Sequence, residues 1–165
     1  MANDFDKLLQ ETIAEARALK IPVSMAIKPH VVVNRRAKKR YGCCIKKGFV
    51  FTIELSWLLL EADEKVCRQT LAHEVLHTCF GCRNHQARWK EYARRMNEAY
   101  GYDIKRTEKA EALGLSIPEK SVKVKYLVTC ESCGAVTERL RASKLTKYPY
   151  RYRCKCGGKL KVTQN

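Results

Sequence analysis

Residues 63–80 read DEKVCRQTLAHEVLHTCF, and the spacing within this stretch predicts a helix. Val66, Cys67, Leu71, Ala72, Val75, Leu76, Cys79 and Phe80 make it apolar over more than half its circumference. That is the pattern of a central helix buried on several sides, not of one lying on a surface. Asp63 stands where an N-cap belongs. On this helix His73 and His77 are four residues apart, which places them about 40° apart around the axis, close enough to hold one metal ion. Glu74 between them sits where it can take a proton from water at the metal.

Two His seldom hold a catalytic zinc by themselves, and a third protein ligand is expected, with the fourth position left to water. His30 and His85 remain. His85 follows His77 by eight residues, and Gly81 between them can turn the chain back. A helix capped by Asn84 is predicted there, with His85 in its first turn, Trp89, Tyr92, Ala93, Met96, Ala99 and Tyr100 along one face, and Gly101 at its end. Packing that face on the central helix would aim the His85 imidazole at the metal. Glu91 and Glu98 are the acidic alternatives, on the wrong face of the same helix. His30, beyond a basic turn, is expected to be structural or superficial. Cys79 and Cys82 form a C-x-x-C pattern beside the site, where core packing or a metal or redox role is open.

Working outward, residues 4–20 place Phe5, Leu8, Leu9, Ile13, Ala16 and Leu19 at helical spacing ahead of Pro22. Val31 to Val33 and Gly48 to Leu55 read as strands, with Arg35-Arg36-Ala37-Lys38-Lys39-Arg40 as a basic turn between them. Residues 106–122 are polar, contain Gly114 and Pro118, and read as a linker. It separates a domain over 1–105 from a small β unit over 123–165.

That small unit carries Cys130-x-x-Cys133-Gly134 and Cys154-x-Cys156-Gly157. Two cysteine pairs on tight turns supply four thiolates for one tetrahedral zinc with no open position, a structural zinc ribbon. Some forty residues bury too little apolar area to fold unaided, and the metal makes up the difference. Tyr148, Tyr150 and Tyr152 alternate with Arg151 and Arg153, which on a strand would put the tyrosines on one face and the arginines on the other. Either the tyrosines stack on unpaired bases or they form the ribbon's small core.

The chain of 165 residues is 45% hydrophobic and carries a net charge of +16. Residues 21–50 hold eight Lys and Arg with no Asp or Glu, and residues 111–165 hold twelve against four. Such blocks fit a polyanion, nucleic acid being the commonest, or else a solvated basic surface. Arg35, Arg36, Lys38, Lys39, Arg40, Arg151 and Arg153 are the candidate contacts. No apolar run is long enough to span a bilayer, and the N-terminus has no secretory pattern. Nine cysteines without an export signal then predict a cytoplasmic, reducing setting in which thiols serve as metal ligands.

Taken together, residues 35–95 resemble the SprT-like zinc metalloproteases, the group that includes the Spartan DNA–protein crosslink proteases. The matching elements are the basic stretch leading to Tyr41-Gly42-Cys43, the run Ile53-Glu54-Leu55-Ser56, the helix with His73, Glu74 and His77, and His85-Gln-Ala-Arg-Trp89. Asn84 and Gln86 stand where the family often has Gly. Many bacterial members also end in a zinc ribbon. The resemblance implies an α+β, zincin-like protease domain with zinc on His73, His77 and His85, Glu74 as the catalytic acid–base, and a second, structural zinc in the ribbon. It implies peptide-bond hydrolysis, with a protein substrate and DNA as partners. The alternative is a nucleic-acid-binding zinc-ribbon protein whose protease-like domain is inactive.

Overall fold

Asp4 starts the first helix by accepting the backbone N–H of Lys7 on its side chain. The computed structural model describes residues 1–116 and 123–164, and the chain divides into two units, Met1–Ile117 and Pro118–Asn165. In the first unit α1 (Phe5–Ala18) buries Phe5, Leu8, Leu9, Ile13 and Ala16, the stripe its spacing predicts. α2 (Glu64–Leu76) is the central helix, and the Asp63 carboxylate caps it by accepting the N–H of Lys65 at 2.8 Å. Leu71, Ala72, Val75 and Leu76 are wholly buried. Arg68 joins the two helices: its guanidinium reaches Glu64 at 2.8 Å, Glu15 at 3.3 Å and also Glu11. A partly buried fork with three carboxylates fixes geometry in a way that a single exposed pair does not.

α2 packs on a three-stranded sheet of β1 (Val32–Asn34), β2 (Gly42–Lys47) and β3 (Val50–Ser56). β3 is central, parallel to β1 and antiparallel to β2. Its alternation holds, for Ile53 and Leu55 are fully buried while Val50 is exposed. The strand starts at Val50, because Gly48 takes a left-handed φ of 61° and, with Phe49, turns the hairpin. The second hairpin strand, β2, was not expected. The basic turn is folded by Asn34, whose side-chain oxygen accepts the N–H groups of Arg36 and Ala37.

α3 (Ala87–Tyr100) buries Trp89, Ala93 and Met96 and ends on Gly101 in the left-handed conformation, as predicted. Two expectations need correction. The central helix ends at Leu76, one turn before Phe80, which is 90% exposed on the following turn. The expected linker is core in part, since Ala110 and Leu113 pack into the same cluster as α1 and α2. The first unit therefore runs past residue 105. Residues 117–122 of that linker, and Asn165 of the expected ribbon, lie outside the described residues.

In the second unit β4 (Tyr126–Cys130) lies between β5 (Val136–Arg139) and β6 (Leu160–Gln164), all antiparallel. The tyrosine stretch is not a strand. A short helix, α4 (Lys144–Lys147), carries a Ser143–Thr146 capping box, and Pro149 starts a 3₁₀ turn over Pro149–Arg151. Tyr148, Tyr150 and Tyr152 are all exposed, so they are not the unit's core. The fold is thus α+β, followed by a small β unit with a four-cysteine cluster. Among the described residues no helix is long and apolar enough to cross a membrane.

The contrast between Leu76 and Phe80 can be measured. Leu76→Ala is expected to cost about 2–5 kcal/mol of stability, and Phe80→Ala no more than about 0.5 kcal/mol, in urea unfolding followed by tryptophan fluorescence. Equal losses would return Phe80 to the core.

Candidate functional site

His73 and His77 come from α2 and its C-cap, and His85 comes from the turn that joins α2 to α3. Its place differs from expectation: α3 is capped by Gln86, without a side-chain hydrogen bond, so His85 precedes the helix. The three side chains meet nonetheless. The Nε2 of His85 lies 2.9 Å from the Nε2 of His73 and 3.1 Å from that of His77. Two nitrogens at about 2.0–2.1 Å from one tetrahedral zinc would be about 3.3 Å apart, so the cluster has nearly the dimensions of such a site.

The protons are placed to suit. His73 Nδ1 faces the carbonyl of Lys105 at 2.8 Å and His77 Nδ1 faces that of Cys82 at 2.7 Å. A carbonyl only accepts, so both Nδ1 atoms carry the hydrogen and both Nε2 atoms present lone pairs. The lone pairs of His73 and His77 both face the Nε2 of His85, an arrangement that a cation held among the three nitrogens satisfies. Burial, reinforced by the neighbouring imidazoles, pushes His73 down to about 3. Burial also lowers His77 and His85. All three are therefore neutral at neutral pH, the form that binds a metal. Trp89, 2% exposed, sits against all three rings at centroid distances of 4.6–5.6 Å.

Glu74 is buried at 7% exposure, yet with the three His it lines an open cleft of about 1060 Å³. Burial raises its carboxyl to about 8, while Arg40 and the Cys44 backbone N–H pull the other way. Glu108 lines the same cleft and is raised by burial to about 7. Sequence reasoning did not reach Glu108, Cys44 or the Lys105 and Cys82 carbonyls. A backbone carbonyl leaves no trace in residue identity, and Lys105 and Glu108 fell at and beyond the end of the expected domain.

The competing ligands are engaged elsewhere. Glu91 and Glu98 both bind Arg94, at 2.7 and 2.5 Å. His30 is exposed and pairs with Asp6 at 2.8 Å. Cys79 and Cys82 are buried, and neither belongs to a group with metal-ligand geometry among the described residues.

Cys130, Cys133, Cys154 and Cys156 converge in the second unit, their sulfurs all within 4.8 Å of one another. The Sγ pairs Cys130–Cys156 and Cys133–Cys154 lie 3.5 and 3.6 Å apart, near the about 3.8 Å edge of a tetrahedron with Zn–S bonds of about 2.3 Å. The backbone N–H of Cys133 donates to the Cys130 sulfur at 3.5 Å and, with that of Ser132, lowers its thiol, favouring the ligating thiolate. Both donor sets fit zinc.

Of the candidate nucleic-acid contacts, Arg35, Arg36, Lys39 and Arg40 are exposed and Lys38 is half-buried. Arg40 is shared with Glu54 at 3.2 Å. Arg151 and Arg153 are exposed on the second unit. The Arg151 guanidinium lies 5.1 Å over the Tyr148 ring and 5.9 Å from that of Tyr150.

Residues 7–109 match the sequence profile of the SprT-like family. None of the curated proteins matches the chain.

Metal analysis of the full chain separates the two clusters. His85→Ala is expected to remove one zinc per chain and leave the other, and Cys154→Ser to remove that other one. Unchanged zinc in the His85 variant would take His85 out of the site.

Proposed function

This chain belongs to the SprT-like family, and from that membership we propose that it is a zinc-dependent metallopeptidase acting on DNA-associated proteins. The observation that carries this reading is the convergence of three imidazole Nε2 atoms beside a buried Glu74 on the wall of an open cleft. His73, His77 and His85 would hold a catalytic zinc, and Cys130, Cys133, Cys154 and Cys156 a structural one. Bound among the imidazoles, zinc supplies Lewis acidity towards water and a substrate carbonyl, and its charge favours the ionised form of the neighbouring carboxylate.

The chain's own groups do the rest. The Nδ1–H bonds of His73 and His77 to Lys105 and Cys82 hold the rings at fixed angles, and Trp89 closes the back of the cluster against water. Glu74 takes a proton from the attacking water and returns it to the departing amine. The cleft has room for an extended stretch of polypeptide, and its basic residues, Lys39, Arg40, Lys46, Arg83 and Arg106, keep its field positive. Exposed Arg35, Arg36, Lys39 and Arg40, with Lys38 beside them, support a role for DNA, as do Arg151 and Arg153 beside open tyrosine rings.

Glu74→Gln should lower kcat for a DNA-bound protein substrate by about 10²–10⁴-fold while leaving zinc content and DNA affinity intact. If the unaltered chain, fully loaded with zinc, cleaves no protein with DNA present, the alternative of an inactive protease-like domain on a nucleic-acid-binding ribbon is correct. DNA affinity should fall on the order of 10⁴-fold between about 50 and 200 mM salt if seven phosphates are contacted. A flat salt response would remove nucleic acid from the account.

A further inference from the structure

We propose that Gly42 is a positioning residue for Glu74, its missing side chain being the space in which the catalytic carboxylate is held. This rests on the reading of Glu74 as the proton carrier. Gly42 opens β2 with ordinary extended backbone, outside the positive-φ region that favours glycine. Backbone conformation therefore does not call for glycine here, and close approach is the remaining reason. A Cβ on Gly42 would lie 2.6 Å from Oε1, 2.7 Å from Cγ and 3.0 Å from Cδ of Glu74. All three nearest atoms belong to that one side chain, so a single methyl group would displace most of it.

The carboxylate has little freedom to yield. Glu74 is 7% exposed and follows from a helix whose neighbouring Leu71 and Val75 are wholly buried. Gly42 is fixed from behind by its pairing with Leu55, also wholly buried, in β3. Its same-face neighbour on β2, Cys44, is half-buried and lines the same cleft as Glu74. The strand thus leaves the room that the carboxylate fills. The way out for a displaced side chain is the cleft.

The test is a double-mutant cycle on the full-length, zinc-loaded chain. Gly42→Ala is expected to lower kcat about 10- to 100-fold with KM and zinc content unchanged. In the Glu74→Asp background, where the carboxylate is shorter by one methylene, the same change should cost less than about threefold. Stability supplies a readout independent of activity, because both tryptophans, Trp57 and Trp89, lie in the first unit and report its thermal midpoint. Gly42→Ala should lower that midpoint with Glu74 present and leave or raise it in the Glu74→Ala background, since alanine is otherwise the better strand residue. A Gly42→Ala chain that folds only together with Glu74→Ala supports the proposal equally. Wild-type kcat in Gly42→Ala, in a chain that Glu74→Gln inactivates, overturns the positioning role and leaves the peptidase reading standing. So does a midpoint change that is the same in both backgrounds. If the unaltered chain cleaves nothing, the peptidase reading fails separately, and the thermal cycle still decides whether Gly42 holds the side chain.

Discussion

The burial of α2 is the constraint on which the first unit depends. Leu71, Ala72, Val75 and Leu76 have no exposed surface, so the helix must be covered by α1, by the sheet and by α3. Covering it brings Glu74 against β2 and closes the turn that carries His85. Core and site are therefore not separable layers. His73, Glu74 and His77 occupy the one sector of a central helix that opens on a cleft, and their rigidity is borrowed from the apolar side chains one residue away.

Much of this was legible because it rests on periodicity and on side-chain chemistry. The 3.6-residue stripe, the caps at Asp63 and Gly101 and the four paired cysteines each have a local cause, and each stands where its cause places it. The same reasoning overran at Phe80, where an apolar residue continued the stripe after the helix had ended. It also missed β2, whose side chains Cys43 to Lys47 show no clean alternation of burial, the edge-strand case in which pattern says least. The tyrosine stretch alternates as a strand should, yet Pro149 takes it into a 3₁₀ turn. What orients the imidazoles was beyond reach altogether, since any residue at 82 or 105 would offer a carbonyl.

The two units solve the problem of stability by different means. The first gathers an apolar cluster from residues as far apart as Phe5 and Leu113. The second buries few large side chains and leaves Val136, Leu140 and three tyrosines exposed. Its order is concentrated around four sulfurs that converge with the spacing of a zinc site, where a bound metal would add the stability that apolar burial does not.

Gly158 makes Gly42 look less singular. A Cβ there would lie 2.6 Å from the Sγ of Cys130, the same separation that Gly42 would force on the Glu74 carboxylate. In each unit an atom of the candidate site rests directly against bare backbone. Such positions have an unusual place in sequence space: glycine is the smallest residue, so every substitution is an enlargement, and none is conservative. Neutral drift, which elsewhere proceeds by small exchanges of volume, has no first step to take at either one.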